Sequence, residues 1–227
     1  MTVGIILPVR NGGEFIKHTL KALVNSTKYP CKIIIVESES TDDTAKTVDT
    51  WAEQFENIIV YHIANDGFIS ALNYGIQKAI DLDLEGVYLT QDDVIHFPLF
   101  GRDWLKIMVD IGKADNCGMV ISLNAGGVSG KDYVEGLPWA GTWSTYIPMK
   151  TIRKVGTFDE NFNPGFGDDI DYSYRVHKRG LLIYVANFWV DHHRMGEHLN
   201  AGNKDEEVIK KEHALYFRKK FGIGELI

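Results

Sequence analysis

The first 95 residues alternate short apolar runs with segments of helical periodicity, and this alternation limits the choice of fold more than any other feature. Continuous apolar runs at 3–9, 32–36, 58–63 and 86–90 are typical of strands buried on both faces. Between these runs, apolar residues recur every three or four positions. Strands that alternate with helices over short connections predict an α/β fold, in which a doubly wound, mostly parallel central sheet carries helices on both faces.

The second half of the chain is less regular, but it shows no linker and no internal repeat, so we expect one domain over 1–227. The predicted elements are helices over 99–113, 149–155, 169–179 and 205–221, and strands over 117–123, 142–147 and 181–186. The last helix is predicted to face inward with Val208, Ile209, Leu215 and Phe217. Ser40 and Asp43 have the spacing of a capping box. The Gly-rich segment 126–138 predicts a loop that closes over a bound ligand.

Composition and charge exclude several classes of protein. The net charge of −7 argues against general binding to nucleic acid. The sequence has no GxGxxG after the first strand and no GxSxG, which disfavours dinucleotide binding and a serine nucleophile. Cys31 and Cys117 do not form a CxxC pair, so we expect a reducing, cytoplasmic compartment.

The sequence also bears on whether the chain crosses or contacts a membrane. No apolar run approaches the ~20 residues of a transmembrane helix, so none is expected. The last predicted helix ends with Arg218, Lys219 and Lys220. This basic end leaves two interpretations open, peripheral contact with an anionic membrane surface or an ordinary solvated helix face, and the second is the more common.

Polar residues follow each of the first four predicted strands, in the segments PVRN, ESES, AND and TQDD. The ligand crevice of an open α/β sheet lies outside the carboxyl ends of its strands, so we expect these segments to converge. In the last segment, Asp92 and Asp93 suit a hard cation, because Mg²⁺ and Mn²⁺ sites often combine one or two carboxylates with substrate phosphates. For an isolated pair of acids, a turn is the more common explanation.

Two further clusters carry candidate chemistry. Asp168, Asp169 and Asp171 lie at the start of a predicted helix, where the helix dipole favours ionised acids and where Asp171 can pair with Arg175. Successive helical positions diverge by about 100°, so one carboxylate can face the crevice as a general base while Asp171 makes its ion pair. The segment 190–198 contains three histidines without a zinc motif, which indicates either one imidazole beside a metal or ordinary surface residues.

These segments, in this order and spacing, resemble family 2 glycosyltransferases of the GT-A fold, especially rhamnosyltransferase-like members, from about residue 3 to residue 221. The segments that carry the resemblance are ILPVRNGGEFIKHTLKAL, IIIVESESTDDT, NDGFISALNYGIQKA, GTFDENFNPGFGDDIDYSYRVHKRG and YFRKKFG. The fourth is the strongest match. The resemblance implies a nucleotide-binding half at 1–95 and an acceptor-binding half at 96–227.

The resemblance also implies roles for individual residues. The donor-binding positions are Pro8, Val9, Arg10, Glu37, Ser38, Asn65, Asn73 and Asp92. Asp93 corresponds to the last acid of the family's DxD motif and would hold Mn²⁺ or Mg²⁺ together with His193, or with His192 in the alternative register. Gln91 stands where the first acid of that motif is usual. Asp169 corresponds to the catalytic base, and Trp139, Trp143 and Asp168 are implied sugar or acceptor contacts.

The implied function is metal-dependent, inverting transfer of a sugar from a UDP- or dTDP-type nucleotide sugar to a hydroxyl of a glycan or lipid-linked acceptor, as in polysaccharide biosynthesis. Two alternatives come from other classes. A sugar-phosphate nucleotidyltransferase needs a basic, Gly-rich loop after the first strand, where this chain supplies only Arg10. A non-catalytic glycan-binding protein would not need the acids around Asp169.

Overall fold

The computed structural model describes residues 1–99, 101–128, 138–193 and 206–223. In the first half the elements are β1 (Val3–Val9), α1 (Gly13–Ser26), β2 (Cys31–Ser38), α2 (Thr44–Gln54), β3 (Ile58–Ile63), α3 (Phe68–Asp81), β4 (Gly86–Thr90) and β5 (Val94–His96). In the second half they are α4 (Trp104–Gly112), β6 (Cys117–Ser122), β7 (Gly126–Val128), β8 (Pro138–Ala140), β9 (Ser144–Pro148), α5 (Met149–Val155), a 3₁₀ turn (Glu160–Phe162), α6 (Asp168–Lys178), β10 (Leu182–Ala186), β11 (Val190–His192) and α7 (Glu206–Phe221).

Seven of these strands form one twisted sheet, in the order β10-β6-β9-β4-β1-β2-β3. Neighbouring strands are parallel except at β9, which runs antiparallel to both β4 and β6. The predicted mostly parallel sheet is therefore confirmed. The described residues also form two small antiparallel sheets, β5 with β11 and β7 with β8.

Helices cover both faces of the large sheet, as predicted, because successive side chains of a buried strand point to opposite faces. Ile5 and Leu7 of β1 pack with α1, α2 and α4 on one face. Ile6 packs with α3, α5 and α6 on the other face. A side chain of this size contributes about 1.5–3 kcal/mol when it moves from water into such a core. The two apolar layers hold the strand ends in a fixed arrangement.

Two predicted features of the chain are wrong in detail, and a third is described only at its ends. The helix predicted from residue 99 begins at Trp104, because the Asp103 carboxylate caps it by accepting a hydrogen bond from the Lys106 backbone N–H at 2.8 Å. Ser40 and Asp43 form no capping box, and neither caps α2 with its side chain. The ends of the predicted loop 126–138 pair as β7 and β8, while 129–137 and any closure by them lie outside the described residues.

The last helix faces the protein differently from its prediction. Val208 and Leu215 are 42% and 59% exposed, whereas His213 and Phe217 are buried. The Lys220 ammonium forms ion pairs with Asp159 and Asp171, so that part of the basic end is directed into the protein. Within the described ranges, no helix is both long and apolar enough to cross a bilayer.

Candidate active site

A cleft of about 1510 Å³ opens at the carboxyl ends of β1, β2 and β4, which is the predicted position of the ligand crevice. Six of the candidate donor-binding residues line it: Pro8, Val9, Arg10, Ser38, Asn65 and Asp92. The candidate acceptor residues Trp139, Trp143 and Asp168 line the same cleft, and so does the candidate base Asp169. The hydroxyl of Ser38 is buried and has no hydrogen-bond partner among the described residues. Buried polar groups are normally hydrogen-bonded, so this hydroxyl is a candidate contact for a ligand.

Glu37 does not line the cleft. Its carboxylate is buried and accepts hydrogen bonds from the Ser40 backbone N–H at 2.6 Å and from Nδ1 of His62 at 2.8 Å. Burial alone would raise the pKa of this carboxyl, but the hydrogen bonds from His62 and Ser40 outweigh burial and lower it. Glu37 therefore holds the turn after β2 in place, and the structure gives it no direct position on a nucleotide.

Asn73 also lies away from the cleft. Its side chain donates to the carbonyl of Phe158 at 2.9 Å and accepts from the Phe158 backbone N–H at 2.9 Å. These bonds tie α3 to the loop that leads into α6. Asn73 thus supports the framework of the site, because it links the strand-end side of the cleft to the segment that carries the acids.

Asn163, which sequence reasoning did not select, forms a second tie between the same segments. Its side-chain oxygen accepts from the Ile69 backbone N–H at 2.8 Å, and its amide nitrogen donates to the Ser70 hydroxyl at 3.0 Å. Gly67 precedes α3 with a φ of 102°, and a Cβ there would lie 2.5 Å from the Asn163 oxygen. Only glycine fits this position without displacing Asn163.

The polar residues after β4 have different positions. Gln91 and Asp92 line the cleft, whereas Asp93 is fully buried beneath it. Oδ1 of Asp93 lies 3.5 Å from Nε2 of His192, which lines the cleft. The sequence preferred His193, but that side chain is 44% exposed, lies 3.3 Å from an Asp191 carboxylate oxygen and does not line the cleft. The geometry therefore favours His192, the alternative register, as the partner of Asp93.

The small β5–β11 sheet explains this register. His192 pairs with Val94 in an antiparallel ladder, and the next backbone N–H, of His193, donates to the carbonyl of Asp93 at 3.1 Å. Side chains alternate along a strand, so only one of two consecutive histidines can face the cleft. Trp143 packs against the His192 ring, with centroids 4.7 Å apart and planes tilted by 35°. That contact fixes the imidazole at the cleft wall.

The pair of Asp93 and His192 offers one carboxylate and one imidazole to a divalent cation. The described part of the chain contains no group of three or more His, Cys, Asp or Glu side chains arranged to hold a metal ion. Mg²⁺ and Mn²⁺ commonly bind phosphate substrates through only one or two carboxylates, with the phosphates and water completing the shell. The pair fits a site of that kind, in which the substrate supplies the remaining oxygen ligands.

Asp168 and Asp169 project into the cleft from the first turn of α6, while Asp171 faces the protein interior. Asp171 makes the predicted ion pair with Arg175, at 2.8 Å. Burial raises the pKa of Asp169 to about 6, although its carboxylate accepts the Ile170 backbone N–H at 2.8 Å. Burial and the neighbouring Asp169 charge raise the pKa of Asp168 well above its ordinary value. The two adjacent carboxyls therefore resist ionising together.

Helix α7 forms a cleft wall that the sequence analysis did not anticipate. Its cleft-lining residues are Glu207, Lys210, Lys211, Ala214, Leu215 and Arg218. Their spacing of three and four residues places them on one helical face. The spacing of Lys210, Lys211 and Arg218 is a signal in the sequence for a basic helix face. The prediction that Leu215 lies in the core obscures that signal, because Leu215 belongs to the same face.

A polar cluster docks α7 onto α6 and onto the loop before it. Nζ of Lys220 lies 2.5 Å from Asp171 and 2.7 Å from Asp159, and the Tyr216 hydroxyl donates to Asp159 at 2.8 Å. The Nδ1 of His213 donates to the carbonyl of Phe166 at 2.8 Å. These bonds attach α7 to the segment that immediately precedes Asp168.

Comparison with known protein families and sequences gives partial matches. The model of the family described as "Glycosyl transferase family 2" matches residues 4–162. The O-antigen chain rhamnosyltransferase RfbN of Salmonella typhimurium is 30% identical over 97 residues, which are 42% of this chain and 29% of that protein. Glycosyltransferase GlyG of Streptococcus pneumoniae is 27% identical over 97 residues, which are 41% of this chain and 31% of that protein. The matched segment thus spans less than a third of either relative.

Comparison with solved structures covers nearly the whole chain. TarS 1–349 of S. aureus, in complex with UDP-GlcNAc, aligns with 100% of this chain and 68% of its own, with a TM-score of 0.69 and 17% identity. The mannosyltransferase PcManGT of Pyrobaculum calidifontis, in complex with GDP-Man and Mn²⁺, aligns with 99% of this chain and 76% of its own, with a TM-score of 0.64 and 17% identity. These likenesses confirm the GT-A fold.

Proposed function

The chain belongs to glycosyl transferase family 2, and from this membership we propose that it transfers a sugar from a nucleoside diphosphate sugar to a hydroxyl group of a glycan or glycolipid. One observation carries the proposal furthest. The acids at the start of α6 line the same cleft as Arg10, Ser38 and Asp92 at the strand ends. The candidate base and the candidate nucleotide contacts thus line a common space, as a transfer between two substrates needs.

The donor is proposed to lie across the ends of β1, β2 and β4. Arg10 and the buried Ser38 hydroxyl are the groups available for the nucleotide, and Asn65 borders the same region. Trp139 and Trp143 offer aromatic faces on which the apolar face of a sugar can pack. The complexes of TarS with UDP-GlcNAc and of PcManGT with GDP-Man support a donor of this chemical class. We propose a UDP- or dTDP-type sugar.

The proposed reaction inverts the anomeric centre in a single displacement. The acceptor oxygen forms a bond to the anomeric carbon while the bond from that carbon to the diphosphate oxygen breaks. The diphosphate leaves with the electron pair, and Asp169 takes the proton of the acceptor hydroxyl. Asp169 is suited to this role because it lines the cleft and is ionised at neutral pH with a pKa of about 6. Asp168 lines the same cleft and would act as a hydrogen-bonding contact to the acceptor.

Asp93 and His192 are the residues that would hold Mn²⁺ or Mg²⁺. Such an ion, when bound, supplies a positive charge that stabilises the developing charge of the diphosphate. Gln91 stands at the cleft where a further carboxylate would be usual in this family, so the protein contributes a small ligand set. We therefore expect the metal to bind tightly only together with the nucleotide.

The decisive experiment is a thermal-shift screen of nucleoside diphosphate sugars with and without Mn²⁺, followed by an assay of nucleoside diphosphate release. A metal-dependent rise in melting temperature, followed by slow release of the diphosphate from the same compound, is the expected result. Pyrophosphate release from a nucleoside triphosphate and a sugar phosphate would instead identify a nucleotidyltransferase. The absence of any stabilising nucleotide sugar would contradict the proposed donor class.

A further inference from the structure

The cleft face of α7 carries an unusual charge for this protein. Lys210, Lys211 and Arg218 are positive and Glu207 is negative, so the stripe has three positive charges against one negative, a net charge of two positive. The whole chain has a net charge of −7. The facing acids, Asp168 among them, line another part of the same cleft. Positive charge is thus concentrated on one wall of the site.

This wall stands on the acceptor side of the proposed reaction. The Lys210 ammonium lies 4.7 Å from the ring centroid of Phe166, and Phe166 directly precedes the turn into Asp168 and Asp169. The helix is docked on α6 through the Tyr174 and Phe217 rings, whose centroids are 5.4 Å apart. The proposed base and the cationic stripe are therefore carried by neighbouring elements, whereas the proposed donor site is built on strand ends.

The stripe is also held in a fixed orientation. On the side of α7 that faces the protein, Lys220 bridges Asp159 and Asp171 at 2.7 and 2.5 Å. Phe217, one turn before Phe221, is fully buried. A helix that is anchored along one face presents its other face in a defined direction, so the face of α7 that carries these cations is directed towards the cleft. Lysine and arginine side chains favour an anionic ligand more than a neutral sugar, because they form charge-assisted hydrogen bonds with it.

We propose that the cleft face of α7 is an anion-binding wall that recognises a phosphate group on the acceptor. Lys210, Lys211 and Arg218 bind that phosphate, and the acceptor hydroxyl lies beside Asp169. This inference rests on the proposed function, which it deepens by assigning the chemical class of the acceptor. The phosphate belongs either to a phosphodiester in a polymer backbone or to a diphosphate that joins a glycan to a lipid.

Calorimetric binding of four probes tests the proposal. A glycerol phosphate trimer represents a phosphodiester, geranyl diphosphate represents a lipid diphosphate, maltotriose is neutral, and UDP with Mn²⁺ reports the donor site. We compare the unmodified protein with the triple variant K210Q/K211Q/R218Q. The matched control is Lys219→Gln, because Lys219 is an exposed cation on the same helix that does not line the cleft.

In the triple variant, we expect the affinity for at least one phosphate probe to fall on the order of 10-fold, while UDP affinity changes by less than about 2-fold. Added salt should weaken the same interaction in the unmodified protein. The preferred phosphate probe identifies the source of the phosphate. Lys219→Gln should leave all affinities unchanged.

Three results would overturn the proposal. One is a loss of UDP affinity as large as the loss for the phosphate probes, since the cations would then serve the donor. Another is binding of maltotriose as tight as that of both phosphate probes. The third is an unchanged triple variant. If UDP does not bind the unmodified protein but a phosphate probe does so through α7, the anion-binding wall stands and the transferase proposal fails.

Discussion

Oδ1 of Asp93 lies 3.5 Å from Nε2 of His192, although the two residues belong to different halves of the chain. The contact exists because β5 and β11 pair in a small antiparallel sheet beside the cleft. It selects one of two consecutive histidines as the partner of the buried acid. Variants of His192 and of His193 can therefore be compared directly.

Asp93→Asn and His192→Ala should each weaken Mn²⁺-dependent UDP binding on the order of 10-fold or more, because each removes one of the two proposed protein ligands. His193→Ala is the matched control, since this exposed side chain lies beside Asp191 instead of Asp93. Calorimetry with UDP, in Mn²⁺ and then in EDTA, measures the effect. A loss of affinity in His193→Ala with none in His192→Ala would restore the register that the sequence preferred.

Asp169→Asn should lower the rate of sugar transfer on the order of 10²-fold or more, because the amide cannot accept the acceptor proton. UDP affinity should persist, since the side chain stands on the acceptor side of the proposed reaction. The measurement is steady-state transfer combined with calorimetric UDP binding. Asp115→Asn, at an exposed acid outside the cleft, serves as the control. Near-normal turnover in Asp169→Asn would remove this residue as the base.

The pH dependence of transfer follows from the same carboxylate. Burial raises the pKa of Asp169 from an ordinary 3.8 to about 6. The deprotonated base is therefore scarce below pH 6 and abundant above it, so kcat/KM should rise through about pH 6 to a plateau. A rate profile between about pH 5 and pH 8 at saturating metal measures this limb. A profile that stays flat across that interval would contradict the assignment.

Lys220→Met should destabilise the protein by roughly 3 kcal/mol, because it leaves the fully buried Asp171 carboxylate with Arg175 as its remaining cation. This loss of stability is at the lower end of the range for a broken buried ion pair, because Arg175 still pairs with Asp171. Urea unfolding at neutral pH gives the free energy of unfolding. Lys219→Met, which alters an exposed cation on the same helix, should change it by less than about 0.5 kcal/mol. Equal stabilities of the two variants would show that the cluster contributes little.

The same cluster predicts a sensitivity to acid. Burial would raise the pKa of Asp159, but hydrogen bonds from Lys220, Asn161 and Tyr216 outweigh it and hold the pKa well below its ordinary value. A carboxyl whose folded pKa is lowered stabilises the folded state above its unfolded pKa, about 3.9, and that contribution is lost as pH falls further. Between neutral pH and pH ~3, the unmodified protein should therefore lose more stability than Lys220→Met does. An identical loss in both proteins would exclude this linkage.

The local pattern of the sequence was sufficient for the sheet. Strands such as β1, which are apolar on both faces, and the helical spacing between them predict a doubly wound architecture without any tertiary information. It also predicted the Asp171–Arg175 pair, because both residues lie one turn apart on one helix. Both predictions depend on spacings of a few residues, which can be read from the sequence without the tertiary structure.

Long-range pairing decided the rest. Glu37 and Asn73 occupy positions that resemble donor contacts, yet their polar atoms are taken by His62 and Phe158. The choice of His192 depends on the register of β11 against β5, since a shift of one residue turns the opposite side chain toward the cleft. The cationic stripe of α7 became visible only because Phe217 and Lys220 show which face of that helix is buried. Sequence by itself determined the fold and the residue types at the strand ends, and tertiary packing decided which of their polar groups face the cleft.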